Sequence, residues 1–384
     1  MPSAKALAWG TRVIALCLLV QISLTWPLWW GPRSYPLLPT LDLPSALSSL
    51  ALIGLLLALL GLLRWPRRRE LFLGLAVSFL LLLLSDLTRL QVWTYHLSGL
   101  LVLLGWYAPQ KPDRGLAAVR WVFPLIYWWG GLHKINPHYA SISFDWLLSA
   151  YDWTAQWRGQ SGLVVASVAV ELLIGLGLYF RRSRRAAALL GIALHLTLLL
   201  LLGPTGHDWN PVVWPWNVLM ILLLYGWYYH PPDFKLPRTL LRHPPLLLLL
   251  LLWGLLPGAN RLDYWDDPLS FKLYAGDHPE ALLYFAPSDT ACFSPRTMPK
   301  THLLYIDSLG LTQRYLPIGA WAMDELGVAA YNSPAGLRAV ARRYCECLER
   351  PNRAGVDLIE VRTWRRELVE RTYSCRDLRR GLGY

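Results

Sequence analysis

Charged side chains are scarce in this chain of 384 residues, and that scarcity excludes an ordinary soluble fold. Only 16% of the residues are charged, whereas a soluble domain carries about a quarter. Hydrophobic residues make up 54%, the mean hydropathy is +0.32, and tryptophan occurs 21 times. A bilayer accounts for these features, because lipid-facing side chains need not be polar and Trp and Tyr collect at membrane interfaces.

The sequence also lacks the short motifs of several enzyme classes. It contains no glycine-rich phosphate-binding loop, no zinc-protease helix motif and no serine-nucleophile elbow. No internal repeat is evident, which ranks a transporter below other membrane functions. The excess positive charge is confined to residues 1–258, which hold 20 basic and 9 acidic residues. That distribution indicates topology signals and a lipid-bilayer partner, and it argues against nucleic-acid binding.

Nine apolar stretches approach the length of about 20 residues that a transmembrane helix needs. They lie at residues 13–30, 44–63, 71–90, 92–108, 116–133, 161–180, 186–203, 211–229 and 245–258. The first stretch has an alternative interpretation as a cleaved signal peptide, but no small-x-small cleavage site follows it. The sequence therefore predicts a polytopic α-helical membrane protein with about nine transmembrane helices, in a transmembrane domain over residues 1–258.

Lysine and arginine alternate sharply between the two sets of segments that connect these stretches. One set carries 16 basic residues: Lys5, Arg12, Arg64, Arg67, Arg68, Arg69, Lys111, Arg114, Arg120, Arg181, Arg182, Arg184, Arg185, Lys235, Arg238 and Arg242. The other set carries 4, namely Arg33, Arg89, Lys134 and Arg158. Because basic residues favour the cytoplasmic side, we predict a multi-pass protein of the cell (inner) membrane with a cytoplasmic N-terminus. The tail after residue 258 is then extracytoplasmic.

Residues 259–384 change to the pattern of a soluble α+β domain. Apolar-rich stretches at Ala281–Phe285, His302–Ile306 and Val356–Val361 predict short strands, the last followed by a helix or a hairpin. A helix is predicted from Pro334 to Leu348, with Ser333 or a neighbour as its N-cap. About 125 residues suffice for one small domain with its own core.

Four of the five cysteines fall in this tail: Cys292, Cys345, Cys347 and Cys375. The predicted compartment is oxidising, so disulfides are favoured there. Four cysteines allow three pairings. Cys345 and Cys347 are too close for a comfortable mutual bond, so each is predicted to bridge to Cys292 or Cys375. A metal site and a reactive dithiol are the alternatives, although Cys-x-Cys without a nearby histidine is weak evidence for a metal, and we assign no metal ligands.

A lysine ends the fifth apolar stretch on the side where orientation rules disfavour it. Lys134 closes the sequence Tyr-Trp-Trp-Gly-Gly-Leu-His-Lys, in which Trp128 and Trp129 are candidate cofactor-binding residues. The paired glycines, Gly130 and Gly131, permit close approach of another helix. In a dry setting a lysine loses its proton more readily and can act as a general base. The alternative is an interface lysine that extends its amine to water.

Two pairs of ionisable residues lie in or beside the stretches. Glu171 and His195 lie at similar depth in the adjacent sixth and seventh stretches, within reach of a mutual hydrogen bond. They are candidate catalytic residues or a buried polar pair that fixes helix packing. Asp86 and Arg89 are one helical turn apart, and we interpret them as a structural pair.

The segment around residues 203–217 combines further polar and aromatic groups. His207 is a candidate catalytic residue, and Trp214 and Asn217 are candidate cofactor-binding residues at the start of the eighth stretch. An ordinary interfacial aromatic belt is the alternative interpretation.

Gly-Gly-Leu-His-Lys-Ile-Asn-Pro at 130–137, followed by the Trp-containing Asp145–Leu148, resembles the horizontally transferred transmembrane domain family. These proteins are bacterial relatives of vitamin K-dependent gamma-carboxylase, with an aromatic-rich helix ending in Gly-x-x-Lys-Leu-(Asn/Asp). The order of Glu171 and His195 around an arginine-rich turn is also similar, and the resemblance covers residues 10–230.

The resemblance implies that Lys134 corresponds to the lysine that deprotonates vitamin K hydroquinone, and that Gly131 corresponds to the packing glycine. His133 departs from a second lysine of the animal enzyme, which puts the electrostatics of the base in doubt. The glutamate-substrate and propeptide regions have no counterpart, so fold transfers better than reaction. A reduced quinone such as vitamin K hydroquinone is the cofactor that the resemblance implies.

Two functions follow as expectations. One is a carboxylase-like, quinol-dependent lyase in which Lys134 acts as a base on a lipid-soluble quinol, assisted by His195, Glu171 or His207. The other is a non-catalytic membrane assembly or maturation factor, whose tail binds a secreted protein or peptide.

Overall fold

The structure is a computed structural model that describes residues 2–107, 111–231, 243–285, 292–295, 297, 302–306, 311–348, 355–362 and 367–380. Internal contacts divide the chain into two compact units. The helical unit comprises Met1–Leu24, Pro44–Leu82 and Val92–Gly276, and the mixed unit comprises Thr25–Leu43, Leu83–Gln91 and Asp277–Tyr384. The mixed unit thus includes two segments from within the predicted transmembrane domain, so that domain boundary stays a prediction.

The described residues are mostly helical. The α-helices are α1 (Ser3–Leu24), α2 (Trp26–Trp29), α3 (Ser45–Arg64), α4 (Arg69–Ser85), α5 (Val92–Tyr107), α6 (Pro112–Val122), α7 (Leu125–His133), α8 (Asp145–Leu148), α9 (Asp152–Ala155), α10 (Ser161–Gly177), α11 (Arg184–Leu202), α12 (Val213–Leu223), α13 (Pro244–Leu249), α14 (Ile318–Leu326), α15 (Pro334–Cys347) and α16 (Cys375–Arg379). Helix α12 continues as a π-helix over Leu224–Tyr229. Helix α13 continues as a π-helix and then a 3-10 helix to Leu262.

Four helices of the described chain are long and apolar enough to cross a membrane. They are Ser3–Leu24, Ser45–Arg64, Arg184–Leu202 and the continuous Pro244–Leu262, and Ser161–Gly177 is a shorter apolar helix. Each of the nine predicted stretches overlaps helical residues. A membrane protein is therefore supported. The basic residues Lys235, Arg238 and Arg242, which contribute to the orientation argument, lie outside the described residues.

Several helix boundaries differ from the sequence prediction, and three of the differences have a clear description. The first helix begins at Ser3 rather than residue 13, because the Ala-rich residues before the apolar run are good helix formers. The stretch 116–133 is not one helix. Its α6 ends at Val122 and α7 starts at Leu125, because Pro124 has no amide hydrogen and its ring crowds the preceding turn. The last apolar helix extends past residue 258 to Leu262.

The mixed unit contains one antiparallel sheet of five strands. The strands are β1 (Glu280–Phe285), β2 (His302–Ile306), β3 (Leu311–Pro317), β4 (Gly355–Arg362) and β5 (Glu367–Ser374), in the order β2-β3-β1-β4-β5. In the central strand, Leu283 lies opposite Leu316 on one side and Val356 on the other. The three predicted strands are confirmed. A helix or a hairpin was left open after the third strand, and strand β5 pairs antiparallel with β4 there. Strand β3 and helix α14 were not predicted.

Aromatic side chains and disulfides form the core of the mixed unit. Phe285, Phe293, Trp321 and Tyr344 are buried in mutual ring contact. Helix α15 begins as predicted, with the Ser333 hydroxyl accepting a hydrogen bond from the Gly336 amide.

All four tail cysteines are disulfide-bonded. Cys292 pairs with Cys347, and Cys345 pairs with Cys375, across sequence separations of 55 and 30 residues. The prediction that Cys345 and Cys347 each bridge to one of the other two is confirmed. Which partner each one takes could not be predicted from the sequence. The structure shows two disulfides rather than a metal site or a reactive dithiol. The cross-links close long loops, which restricts the unfolded chain.

A buried charge cluster fixes the short segments of the mixed unit. Asp86 is fully buried and forms an ion pair with Arg33 at 2.7 Å, while Arg89 lies at 3.9 Å. It also accepts hydrogen bonds from the amides of Leu38 and Thr88. The predicted structural pair of Asp86 and Arg89 is confirmed, with Arg33 as the closer partner.

Candidate functional site

A cavity of about 220 Å³ lies within the helical unit. Helices α7, α10, α11 and α12 supply most of its walls, and most of the lining side chains are apolar. Its polar groups include Lys134, Glu171, His195 and Asn217. An apolar pocket with a few convergent polar groups is the usual form of a small-molecule site. We call it the Lys134 cavity.

Glycines bring α7 and α10 close together beside this cavity. A β-carbon at Gly175 would lie 2.9 Å from the Trp128 backbone nitrogen and 3.3 Å from the Pro124 carbonyl oxygen. A β-carbon at Gly130 would lie 2.8 Å from a carboxylate oxygen of Glu171. Glycine therefore allows the two backbones to approach and leaves room for the Glu171 side chain. This agrees with the close approach that the paired glycines predicted.

Lys134 forms an ion pair with Glu171. Lys134 is the C-cap residue of α7, where it is only 8% exposed, and its amine lies 5.8 Å from the centre of the Tyr139 ring. A lysine that extends to water from the interface would be exposed, so burial against a carboxylate differs from that alternative. The two charged groups satisfy each other in a largely apolar setting, where an unpaired charge is costly.

A second polar cluster, Tyr127–His195–Asn217, lies on the same cavity wall. The Tyr127 oxygen is 2.7 Å from His195 Nε2, and His195 Nδ1 is 2.6 Å from Asn217 Oδ1. The Asn217 amide nitrogen donates to the Val213 carbonyl, which turns its oxygen toward the imidazole. His195 must then donate from Nδ1 and accept at Nε2 from the Tyr127 hydroxyl, as assigned from this network. The arrangement holds one neutral tautomer of His195.

The mutual hydrogen bond expected for Glu171 and His195 is absent, and this expectation was wrong. Glu171 pairs with Lys134, and His195 bonds with Tyr127 and Asn217. Helix α7 supplies a separate partner for each group: Tyr127 contacts His195, and the C-cap residue Lys134 contacts Glu171. Tyr127 and Lys134 are seven residues apart, so they lie on the same helix face and meet one group each. Both groups still line the same cavity.

Four other candidate residues lie outside the lining of the Lys134 cavity. His207 stacks on Trp146 and bonds its carbonyl oxygen at 2.7 Å. Trp129 stacks on His133, and the backbone of Trp128 contacts the site of Gly175. Trp214 donates to the Leu202 carbonyl at 2.8 Å. Trp128 and Trp129 follow Tyr127 in the helix by one and two positions, so they point to other faces.

Three tyrosines that were not predicted also line the cavity. Tyr127 could have been found from its spacing to Lys134 on one helix face. Tyr139 and Tyr274 lie in connecting segments, where no periodicity indicates direction. Burial raises the pKa of both, so their hydroxyl groups remain protonated. The Tyr139 hydroxyl contacts Ser167 Oγ at 2.9 Å.

Asn136 explains the polar end of the Lys134 motif. Its side-chain oxygen accepts from the amides of His138 and Tyr139, and its nitrogen donates to the carbonyls of His133 and Ala275. One amide side chain thus fixes the turn after α7 against the segment that carries Tyr274. Its role is to hold the cavity wall in place.

The described helices and disulfides define a candidate integral membrane protein with a polar site in an apolar cavity. No family model matches the chain, and no match to it was found among curated proteins or among solved structures. The resemblance to the carboxylase-related family therefore stays a prediction from the residues at 130–148.

Proposed function

We propose that this chain is an integral membrane enzyme that removes a proton from a lipid-soluble, weakly acidic substrate, with Lys134 as the base. The observation that carries the proposal is the burial of Lys134 and Glu171 at the wall of an apolar cavity. The cavity suits an apolar ring or chain, and its few polar groups suit a hydroxyl group. A quinol such as vitamin K hydroquinone has both features, and it is also what the resemblance implies.

The proton chemistry follows from the pair. Transfer of one proton from the Lys134 ammonium to the Glu171 carboxylate leaves a neutral amine beside a neutral acid. The amine then takes the proton of the substrate hydroxyl: the O–H bond breaks, an N–H bond forms, and the ammonium faces the new oxyanion. A dry cavity favours this route, because it strengthens the attraction between the new charges.

The Tyr127–His195–Asn217 cluster is the second polar contact for the substrate. Because Asn217 fixes the tautomer of His195, the orientation of the Tyr127 hydroxyl is fixed in turn. Such a fixed group orients a ligand oxygen without reorganisation during the reaction. The cluster positions the substrate, while Lys134 and Glu171 move the proton.

The proposal includes the finer topology. The chain crosses the inner membrane nine times with a cytoplasmic N-terminus, and the C-terminal region is extracytoplasmic. The 16 to 4 distribution of basic residues supports this orientation. The two disulfides of that region are compatible with it, since disulfides persist in oxidising compartments.

Binding of a named probe tests the proposal. Full-length protein in phosphatidylcholine nanodiscs is titrated with vitamin K hydroquinone under anaerobic conditions, and tryptophan fluorescence reports binding. We expect Lys134→Met and His195→Phe to weaken binding at least tenfold, which corresponds to about 1.4 kcal/mol. Lys5→Met, which removes an exposed lysine that does not line the cavity, is the matched control. Equal affinity in all three variants would refute the assignment.

The second candidate function is a non-catalytic assembly or maturation factor for a secreted protein. The observation that favours it is the mixed unit, which contains a five-stranded sheet and two disulfides. This alternative places the functional surface in the mixed unit. Loss of function in a Cys345→Ser/Cys375→Ser variant but not in Lys134→Met would favour it over the enzyme.

A further inference from the structure

A second and larger cavity lies in the helical unit, apart from the Lys134 cavity. Its volume is about 650 Å³, and it is lined by Arg67, Arg68, Arg69, Glu70, Trp106, Tyr107, Lys111, Arg114 and His243. We call it the arginine pocket. It shares no lining residue with the Lys134 cavity, and it has no part in the proton chemistry proposed above.

The arginine pocket concentrates positive charge. Five lining residues are cations, and Glu70 is the one carboxylate among the lining residues. Within the described part of the chain, none of these five cations forms an ion pair with a carboxylate. Like charges repel when they are held together, so the pocket is more stable when an anion is bound.

Aromatic groups hold part of this charge in position. The Arg69 guanidinium lies 5.4 Å from the centre of the Trp106 ring, and Arg114 lies 3.3 Å from His243 Nε2. The His243 ring in turn contacts the Tyr107 ring at 5.7 Å. Guanidinium groups held in this way lose less conformational freedom when they bind a ligand.

Two backbone features point to the same ligand chemistry. Helix α4, of 17 residues, begins at Arg69, and helix α6, of 11 residues, begins directly after Lys111. The N-termini of both helices therefore adjoin the pocket. Amide groups at helix N-termini attract anions.

Tyr107 is only 4% exposed, and its hydroxyl has no hydrogen-bond partner among the described residues. A buried donor without a partner is costly unless a ligand satisfies it.

We propose that the arginine pocket binds a phosphate group, carried by the headgroup of an anionic phospholipid or by a soluble phosphate. The forked donors of several arginines match the oxygens of a phosphate group. The pocket belongs to the segments that contain most of the basic residues and exposed tryptophans such as Trp65 and Trp106, as expected near a membrane interface. Tyr107 donates its hydroxyl to the same phosphate.

Two arms of one experiment test the site and separate the two sources. Full-length protein is placed in phosphatidylcholine nanodiscs. One arm adds phosphatidylglycerol or phosphatidic acid to the lipid, and the other titrates inorganic phosphate at constant ionic strength. Thermal unfolding gives the affinity, and native mass spectrometry counts retained lipid. Saturable stabilisation by the anionic lipid in the first arm would show that the ligand is a lipid headgroup. Saturable stabilisation by inorganic phosphate in the second arm would show that it is a soluble phosphate.

Matched variants locate the site. Arg67→Gln/Lys111→Gln removes two exposed pocket cations, and Arg181→Gln/Arg182→Gln removes two exposed cations outside the pocket. Each surface cation contributes about fivefold to affinity, so the pocket variant is expected to bind roughly 25-fold more weakly. The control is expected to stay within about twofold, because distant charges are screened.

Tyr107→Phe keeps every charge and removes only the buried hydroxyl. We expect affinity to fall at least about tenfold, the loss of one hydrogen bond to a charged group, while the unliganded protein keeps or gains thermal stability because its unpartnered hydroxyl is removed. No stabilisation of the wild type by any of the three probes, or equal losses in the pocket variant and the control, would overturn the proposal.

Discussion

At the scale of single residues, the Lys134–Glu171 pair offers the sharpest measurement of buried electrostatics. Both side chains are about nine-tenths buried, with exposures of 9% and 12%. Lys134→Met leaves a carboxylate without its cation, and Glu171→Gln leaves an ammonium without its anion. Each change is expected to destabilise the protein by about 3–5 kcal/mol.

The double variant Lys134→Met/Glu171→Gln completes this cycle. It removes both charges, so it is expected to be more stable than either single variant. Thermal unfolding of the four proteins in one lipid measures the coupling. If the two single effects add in the double variant, the two side chains do not interact and the observed ion pair has no energetic role.

Four of the eight candidate residues that the sequence indicated line the Lys134 cavity. Lys134, Glu171, His195 and Asn217 line the cavity, because polar groups in apolar helices must face protein or pay a large desolvation penalty. The three tryptophan candidates lie outside the cavity lining for the opposite reason. A tryptophan is stable facing lipid, interface or core, so composition alone gave Trp128, Trp129 and Trp214 no direction. The partner of each group was not predictable either, since Glu171 and His195 line the same cavity but contact different residues, Lys134 at the end of α7 and Tyr127 within it.

At the scale of secondary-structure elements, the contact between α7 and α10 is limited by Gly175. Its absent β-carbon faces backbone atoms of Pro124 and Trp128, which cannot move aside as a side chain can. Gly175→Ala is therefore expected to destabilise the protein by about 1–3 kcal/mol and to weaken probe binding at the Lys134 cavity.

Gly162 provides the matched control in the same helix. A β-carbon there would meet nothing within 4 Å. Gly162→Ala is expected to be neutral or to stabilise the protein by up to about 1 kcal/mol, since alanine is the better helix former. Thermal unfolding and probe titration compare the two variants. A Gly175→Ala protein as stable as Gly162→Ala would show that the helices separate freely at this point.

The elements themselves were predicted with uneven success, for physical reasons. Long apolar runs identify helices regardless of their neighbours, as in Ser45–Arg64. The break between α6 and α7 depends on the single residue Pro124 within an apolar run, so a hydropathy pattern does not reveal it. Strand β3 (Leu311–Pro317) mixes polar and apolar residues, so its pairing with β1 and β2 was apparent only from the assembled sheet.

At the scale of the whole molecule, the disulfides and the alternation of basic residues lead to the same expected orientation by independent arguments. The four tail cysteines are paired, and Cys17 is the free cysteine of the described chain and is buried. The wild-type protein therefore offers little background for thiol labelling. New cysteines at exposed positions can report the side of the membrane on which each segment lies.

Two such positions discriminate between orientations. Arg182→Cys lies in the arginine-rich turn predicted to be cytoplasmic, and Gln160→Cys lies at the predicted outer end of α10. Both side chains are exposed. A membrane-impermeant maleimide applied to intact cells is expected to label the Gln160→Cys protein only, because charged reagents do not cross the bilayer. After permeabilisation both variants should react. If the Arg182→Cys protein were labelled in intact cells and the Gln160→Cys protein were not, the orientation would be the opposite of the predicted one. It would also place the disulfide-bonded region in the reducing cytoplasm, where such bonds are rarely retained.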